Sequence, residues 1–241
     1  MQLEGNTALI TGAGRGIGRG IALAFAKEGA KIAGVARSDK ELTETARLVH
    51  ETGADAVVFP CDVTSPESVR AAVAGAHEAL GPIDLLVNNA GFARFKPFHE
   101  YTFAEWQQTF AVNLDGVFHM VQAVLPDMMA RKTGRIINIS SVAGLKPLLH
   151  QSAYVAAKHA LNGLTEVLAM ELKEHNIGVH AICPGGVDTR LSREAMPERD
   201  KSHWMTPEDI AHAALYLATM SPRMTTDILP VRRFGSVPVG G

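Results

Sequence analysis

Cysteine is scarce in this chain. Only Cys61 and Cys183 occur, far apart and near no cluster of His and Cys with metal-ligand spacing. That argues against a disulfide framework and offers no metal site; both thiols read as small core residues of a reduced, cytoplasmic protein. Long apolar runs are also lacking, since none approaches the ~20 residues a membrane helix needs. Neither sign of charge is in excess. With 23 Lys and Arg against 25 Asp and Glu the formal net charge is −2, so no basic field invites nucleic acid and no acidic arm awaits a partner. Met1 to Asn6 contains no positively charged n-region and no cleavage site, and no signal peptide is expected. What remains is 241 residues, 46% hydrophobic and 20% charged, a size suited to one large domain or at most two. No linker, repeat or low-complexity segment divides the chain, so residues 1–241 are taken as a single domain.

Apolar strands alternate with helical segments. Thr7–Ile10, Lys31–Ala36, Ala56–Phe59, Ile83–Val87, Gly134–Ile139 and Gly178–Cys183 read as strands, with Asp227–Val231 as a last edge strand where Pro230 is tolerated. Helices are expected from Ile21 to Gly29, from Glu41 to Glu51 and from Ser65-Pro66-Glu67 to Leu80. Phe103 to Arg131 reads as one long helix kinked at Pro126, and Thr206-Pro207 opens a helix reaching about Thr219. This spacing predicts an α/β fold: a doubly wound, mostly parallel sheet of six or seven strands with helices on both faces. Ligands of such sheets bind beyond the carboxyl ends of the strands.

The first strand runs straight into Thr11-Gly12-Ala13-Gly14-Arg15-Gly16-Ile17-Gly18. Glycines let a backbone approach a phosphate, and the N-terminus of the following helix offers free N–H groups. The pattern is T-G-x-x-x-G-x-G rather than the strict G-x-G-x-x-G. At the end of the second strand an acid would hold the ribose 2′-hydroxyl of NAD. Here stand Ala36, Arg37 and Ser38, and a guanidinium suits a phosphate. Arg15 approaches from the glycine loop, so NADP(H) is favoured, with NAD(H) possible. Asp62, beside Val63 at the end of the third strand, either takes the adenine amino group or caps the next turn of chain. Asn89-Ala90-Gly91 falls at the end of the fourth strand.

Ser152-Ala153-Tyr154-Val155-Ala156-Ala157-Lys158 opens another helical segment. Four positions apart on a helix, Tyr154 and Lys158 share a face. A phenol with a pKa of about 10 is a poor acid at neutral pH, but a nearby cation favours the phenolate. Bringing it to about 7 takes roughly 4 kcal/mol. One exposed ammonium supplies less, so a further positive group, such as a cationic cofactor ring, has to help. A tuned phenol is then a general acid for a carbonyl or a base for an alcohol. Asn113 interrupts the apolar stretch Val112–Leu114 and needs hydrogen-bond partners there; it breaks the helix locally and frees a carbonyl. The Tyr154 helix is small or apolar on nearly all sides, so one face should meet the sheet and another a second copy.

Thr11 to Gly18, Asn88 to Gly91, Asn113, Ser141, Tyr154-x-x-x-Lys158 and Pro184-Gly185 occur in one order, over roughly residues 5 to 220. Together they resemble the short-chain dehydrogenase/reductase family. The resemblance implies a hydride-transferring oxidoreductase with a small carbonyl or secondary-alcohol substrate. Tyr154 would be proton donor and acceptor, and Lys158 would bind the nicotinamide ribose and lower the phenol's pKa. Ser141, chosen over Ser140 by the family's Ser-to-Tyr spacing, would hold the substrate oxygen, and Asn113 would order a water. Gly12 to Gly18, Arg37, Ser38, Asp62, Val63 and Asn89 to Gly91 would line the cofactor cleft, with Pro184, Gly185, Val187 and Thr189 at the nicotinamide end. Relatives form homodimers and homotetramers, and include 3-oxoacyl-thioester and broad carbonyl reductases. The rival reading is a non-catalytic NADP-binding sensor on the same fold. Candidate pocket residues are Phe92, Arg94, Phe95, Leu145, Leu148, His150 and Gln151, and Arg94 and Lys146 are candidates to steer an acidic carrier. Two departures stand out. Arg232 to Gly241 lacks the Asp-Gly-Gly ending of many relatives. Arg190 to Trp204, which covers the substrate in relatives, is short and polar, which suits an open pocket or a mobile loop.

Overall fold

The computed structural model describes residues 1–237. The C-terminal tail expectation therefore falls partly outside the described residues. Seven strands form one sheet in the order β3-β2-β1-β4-β5-β6-β7, every pair parallel. The strands are β1 (Thr7–Thr11), β2 (Lys31–Ala36), β3 (Ala56–Pro60), β4 (Leu85–Asn88), β5 (Gly134–Ile139), β6 (Ile177–Pro184) and β7 (Ile228–Val231). Parallel neighbours need crossovers, and right-handed helical crossovers bury both faces of a sheet. The central strands are accordingly apolar on both sides. Ala8 and Ile10 join one core with Phe25, Ile210 and Leu217. Leu9, between them, joins the other with Val69, Met120 and Leu161.

The helices are α1 (Gly16–Lys27), α2 (Asp39–His50), α3 (Pro66–Leu80), α4 (Phe103–Phe110), α5 (Gly116–Arg131), α6 (Ser152–Glu171), α7 (Arg190–Ala195) and α8 (Pro207–Ala218). Their starts follow capping chemistry. Ser38 accepts from Glu41 N at α2, and Ser65 accepts from Ser68 N ahead of Pro66 at α3. Thr206 and Asp209 form a capping box ahead of α8; such caps contribute about 1 kcal/mol each.

Two expectations are corrected. The segment from Phe103 to Arg131 is not one regular helix: around Asn113, where a local break was expected, it widens into a π-helical turn, Ala111–Asp115. Pro126 lies within α5, which runs on through it. Pro126 and Gln122, four residues before it, are both exposed. Second, the polar segment after Thr189 is not a bare loop. It contains α7, capped by Thr189 and Ser192 in a reciprocal box.

The site's position follows from strand order. β1 pairs with β2 on one side and β4 on the other. The chain therefore leaves the neighbouring carboxyl ends of β1 and β4 toward opposite faces, and a crevice opens between them.

Candidate active site

A cavity of about 520 Å3 lies across the carboxyl ends of the strands. Its floor at one end is the glycine loop. Gly12 and Gly16 adopt φ of 63° and 55°, a region that favours glycine. A Cβ on Gly12 would stand 2.8 Å from Asn89 Nδ2, and one on Gly18 would stand 2.3 Å from Gly12 O. Gly18 therefore does not line the cavity; it lets α1 close against the loop. The loop is tied to the end of β4: Thr11 Oγ1 accepts from Asn89 N (2.8 Å) and Ala90 N (2.9 Å), and Asn89 Nδ2 donates to Thr11 O (2.9 Å). At the start of α1 no side chain caps the helix and no acid occupies the first turn. Its N–H groups and the positive end of its dipole stay available to an anion. A glycine cradle without Cβ atoms, above an uncapped helix N-terminus, fits a dinucleotide pyrophosphate.

Gly12, Gly14, Arg15, Gly16, Ile17, Arg37, Ser38, Asp62, Val63, Asn89, Ala90 and Gly91 all line this cavity, as do Pro184, Gly185, Val187 and Thr189. Thr189 stands opposite the glycine loop, its Cγ2 3.6 Å from where a Gly16 Cβ would be. Asp62 holds the turn after β3 and also lines the cavity. Its Oδ1 accepts from Thr64 N and Oγ1, and these bonds, with Arg37 nearby, hold its carboxyl below the usual range. The carboxylate still borders the cavity.

At the other end stand Ser141, Tyr154 and Lys158. Ser141 stands two residues past the end of β5 and accepts from Ala143 N (3.1 Å). A 3-10 turn at Val142–Gly144 then packs on α6. This packing requires Gly144, because a Cβ there would lie 2.6 Å from Asn162 Nδ2 and 2.7 Å from Lys158 O. Ser140 is buried and directs its hydroxyl to Lys158 O (3.5 Å). Of the two serines it is Ser141 whose hydroxyl acts on the phenol of Tyr154.

Lys158 is buried, with Nζ 2.9 Å from Ile139 O and 5.7 Å from the centre of the Tyr154 ring. Desolvation dominates both groups. It pushes the Tyr154 phenol up to about 12, against the opposing influence of the Ser141 hydroxyl, and brings the Lys158 ammonium down to about 8. The protein's own groups thus do not make the phenol acidic. An acidic phenol here would need an additional positive charge in the cavity, in keeping with the several kcal/mol it demands.

Asn113 does not line the cavity. Its Nδ2 donates to Phe92 O and Thr109 O, both at 2.8 Å, and its Oδ1 accepts from Phe92 N (3.4 Å). The side chain is therefore committed to the strand-to-helix segment after β4. The helix is not broken here but widened, with Gly116 N reaching back five residues to Ala111 O, an arrangement frequent at functional sites.

Among the substrate-side candidates, Phe92, Phe95, Leu148 and Gln151 line the cavity, whereas Arg94, Leu145, Lys146 and His150 do not. Arg94 is paired with Glu105 at 2.7 Å. Phe95 meets Tyr154 edge to face, with ring centres 5.6 Å apart. The segment read as short and polar supplies Leu191, Met196 and Trp204 to the cavity wall. A Cβ on Gly186 would stand 2.8 Å from the Trp204 ring, so the indole lies directly on the backbone after β6. The reading of a merely polar cover is thereby corrected: Leu191, Met196 and Trp204 line the cavity beside Arg190 and Arg199. Gln108, Glu41, Arg190 and Arg233 also border the cavity. No local pattern marks Gln108, Glu41 or Arg233, whereas adjacency to Thr189 is the signal for Arg190.

A model of the short chain dehydrogenase family matches residues 6–200. The chain is 37% identical over 220 residues to the ketoacyl reductase HetN of Nostoc sp. (strain PCC 7120), covering 88% of this chain and 75% of that protein. Among solved structures, a metagenomic short-chain oxidoreductase in complex with NADP superposes with a TM-score of 0.85 at 35% identity, covering 97% of this chain and 99% of that one. Carveol dehydrogenase from Mycobacterium avium in complex with NAD does so at 0.89 and 31%, covering 96% and 97%.

Proposed function

The chain belongs to the short-chain dehydrogenase family of oxidoreductases acting on CH–OH and C=O groups, and on that premise we propose that it reduces the ketone of a 3-oxoacyl thioester or a similar small carbonyl with NADPH. The observation that carries this reading is the convergence of Ser141, Tyr154 and Lys158 on one wall of the cavity that the glycine loop floors. A bound nicotinamide supplies the hydride. The protein's residues manage the oxygen. Ser141 Oγ and Tyr154 Oη donate to the carbonyl oxygen as negative charge develops on it, and Tyr154 transfers its proton there. Lys158 stabilises the phenolate left behind. Among the described residues Ile139 O takes one of its three N–H groups, leaving two for ribose hydroxyls. Asn113 acts as a positioning residue, holding Phe92 against the π-turn.

Arg37, with no acid at the end of β2, supports NADPH over NADH. Phe92, Phe95, Leu148 and Trp204 suit an acyl chain, and Arg233 and Arg199 at the cavity edge suit an anionic carrier better than Arg94 or Lys146. The non-catalytic sensor gains no support, because binding alone gives no use for Ser141, Tyr154 and Lys158 together. Phe118 on α5 and Val167 and Met170 on α6 are exposed, and open space lies over Gly163. This face supports a homodimer or homotetramer. Two buried free thiols fit a cytoplasmic setting, and among the described residues no helix is long and apolar enough to cross a membrane.

Tyr154→Phe tests the mechanism. NADPH oxidation by a ketone panel, followed by absorbance, should fall at least a thousandfold, while NADPH binding by fluorescence titration stays within about threefold. Turnover at wild-type rates would refute the assignment.

A further inference from the structure

The adenosine end of the cavity holds a carboxylate that the motifs do not announce. Glu41, in the first turn of α2, borders the cavity together with Arg15, Arg37 and Arg190. Its Oε1 lies 2.7 Å from Arg15 Nη1 and 3.6 Å from Arg190 Nη1, while Arg190 Nε is held by Glu194 at 2.5 Å. One carboxylate thus joins the glycine loop to α7. Its location is built in. A Cβ on Gly14 would be 3.0 Å from Glu41 Cβ, and Arg19 donates to both Gly14 O (2.5 Å) and Glu41 O (3.2 Å), locking α2 against the loop.

We propose that Glu41 is a specificity-determining residue for the cofactor, and that its carboxylate occupies the Arg15 guanidinium which a 2′-phosphate would otherwise take. The inference rests on the dinucleotide reading above and deepens it. The end of β2 carries no acid, so Arg37 favours the phosphate. One turn further on, Glu41 restores a carboxylate to the same space, neutralises Arg15 and repels a second anion placed beside it. A 2′-phosphate gains Arg15 only by displacing Glu41 toward Arg190, whereas a ribose 2′-hydroxyl meets a ready acceptor. The site therefore admits both nucleotides, with a ratio set by the contest between Glu41 and the three arginines.

Binding of adenosine 2′,5′-bisphosphate and of adenosine 5′-monophosphate, measured by calorimetry on the full chain, tests this without turnover. Glu41→Gln should tighten the bisphosphate about five- to tenfold at low salt and leave the monophosphate within twofold. The gain should shrink above about 0.5 M salt. Arg190→Gln should act in the opposite sense, since it removes a cation and leaves Glu41 wholly to Arg15. An unchanged ratio of the two affinities in Glu41→Gln, or weaker bisphosphate binding, overturns the proposal while leaving the dinucleotide site standing. Failure of the wild type to bind either nucleotide would instead remove the dinucleotide reading itself.

Discussion

Replacing Lys158 with Met should make the folded protein more stable as it makes the enzyme inactive. Lys158 is 4% exposed, and its ammonium has one hydrogen-bond partner, Ile139 O. Burial brings its pKa from 10.5 to about 8, a change that corresponds to about 3 kcal/mol against the charged form. Below pH 8 the folded protein bears this full cost. Between pH 8 and 10.5 the folded state releases the proton while the unfolded chain keeps it, so stability rises with pH through that window. Met has a similar volume and no charge. Its gain is offset by about 1–2 kcal/mol for leaving Ile139 O without its donor. The net gain at pH 7 is about 2 kcal/mol, or roughly 4–8 °C in Tm for a chain of this size. Thermal unfolding of the nucleotide-free protein, recorded for both forms from pH 6.5 to 10.5, is the assay. The variant should melt higher at pH 7, and the difference should fade toward pH 10. A variant less stable at pH 7, or a difference independent of pH, would refute the reasoning. Activity should drop by at least two orders of magnitude, so that function here is held at the expense of stability.

Two further perturbations rest on the same geometry. Arg37→Asp should shift the ratio of kcat/KM values toward NADH at least tenfold, by removing a phosphate partner and placing a carboxylate near the ribose; an unchanged ratio would make Arg37 a bystander. Gly186→Ala should push the Trp204 ring aside, because the added Cβ would stand 2.8 Å from it. Trp204 fluorescence should change and KM for the ketone rise several-fold with kcat retained, and constancy of both would mean the indole does not cover the substrate.

Much of this molecule is written locally. The strands β2 and β5 have the bounds that alternation of element types predicts, because parallel strands buried on both faces are short apolar runs between helix signals. The glycine loop, Tyr154 and Lys158 were legible for a related reason. Each is a local pattern within one turn or one loop, legible once the other motifs supplied its context, and the structure brings these residues to one cavity. The π-turn at Asn113 was half legible: a buried amide has to find partners, but nothing local says that they belong to Phe92, twenty-one residues away.

Tertiary structure decided the rest. The apolar lining from Leu191, Met196 and Trp204 was hidden in a polar stretch, because only its return against the backbone after β6, Trp204 on Gly186 and Met205 beside Val187, brings it to the cavity. Glu41 reads as an ordinary acid in the first turn of a helix, and it reaches the cavity wall only when Gly14 and Arg19 bring α2 against the glycine loop. The protonation of Tyr154 was likewise beyond spacing. An ammonium one turn away argues for an acidic phenol, yet enclosure of both groups raises the phenol to about 12 and lowers the ammonium to about 8. Sequence determines which groups can meet within a few residues; burial, and hence the dielectric that sets their charge, is a property of everything packed around them.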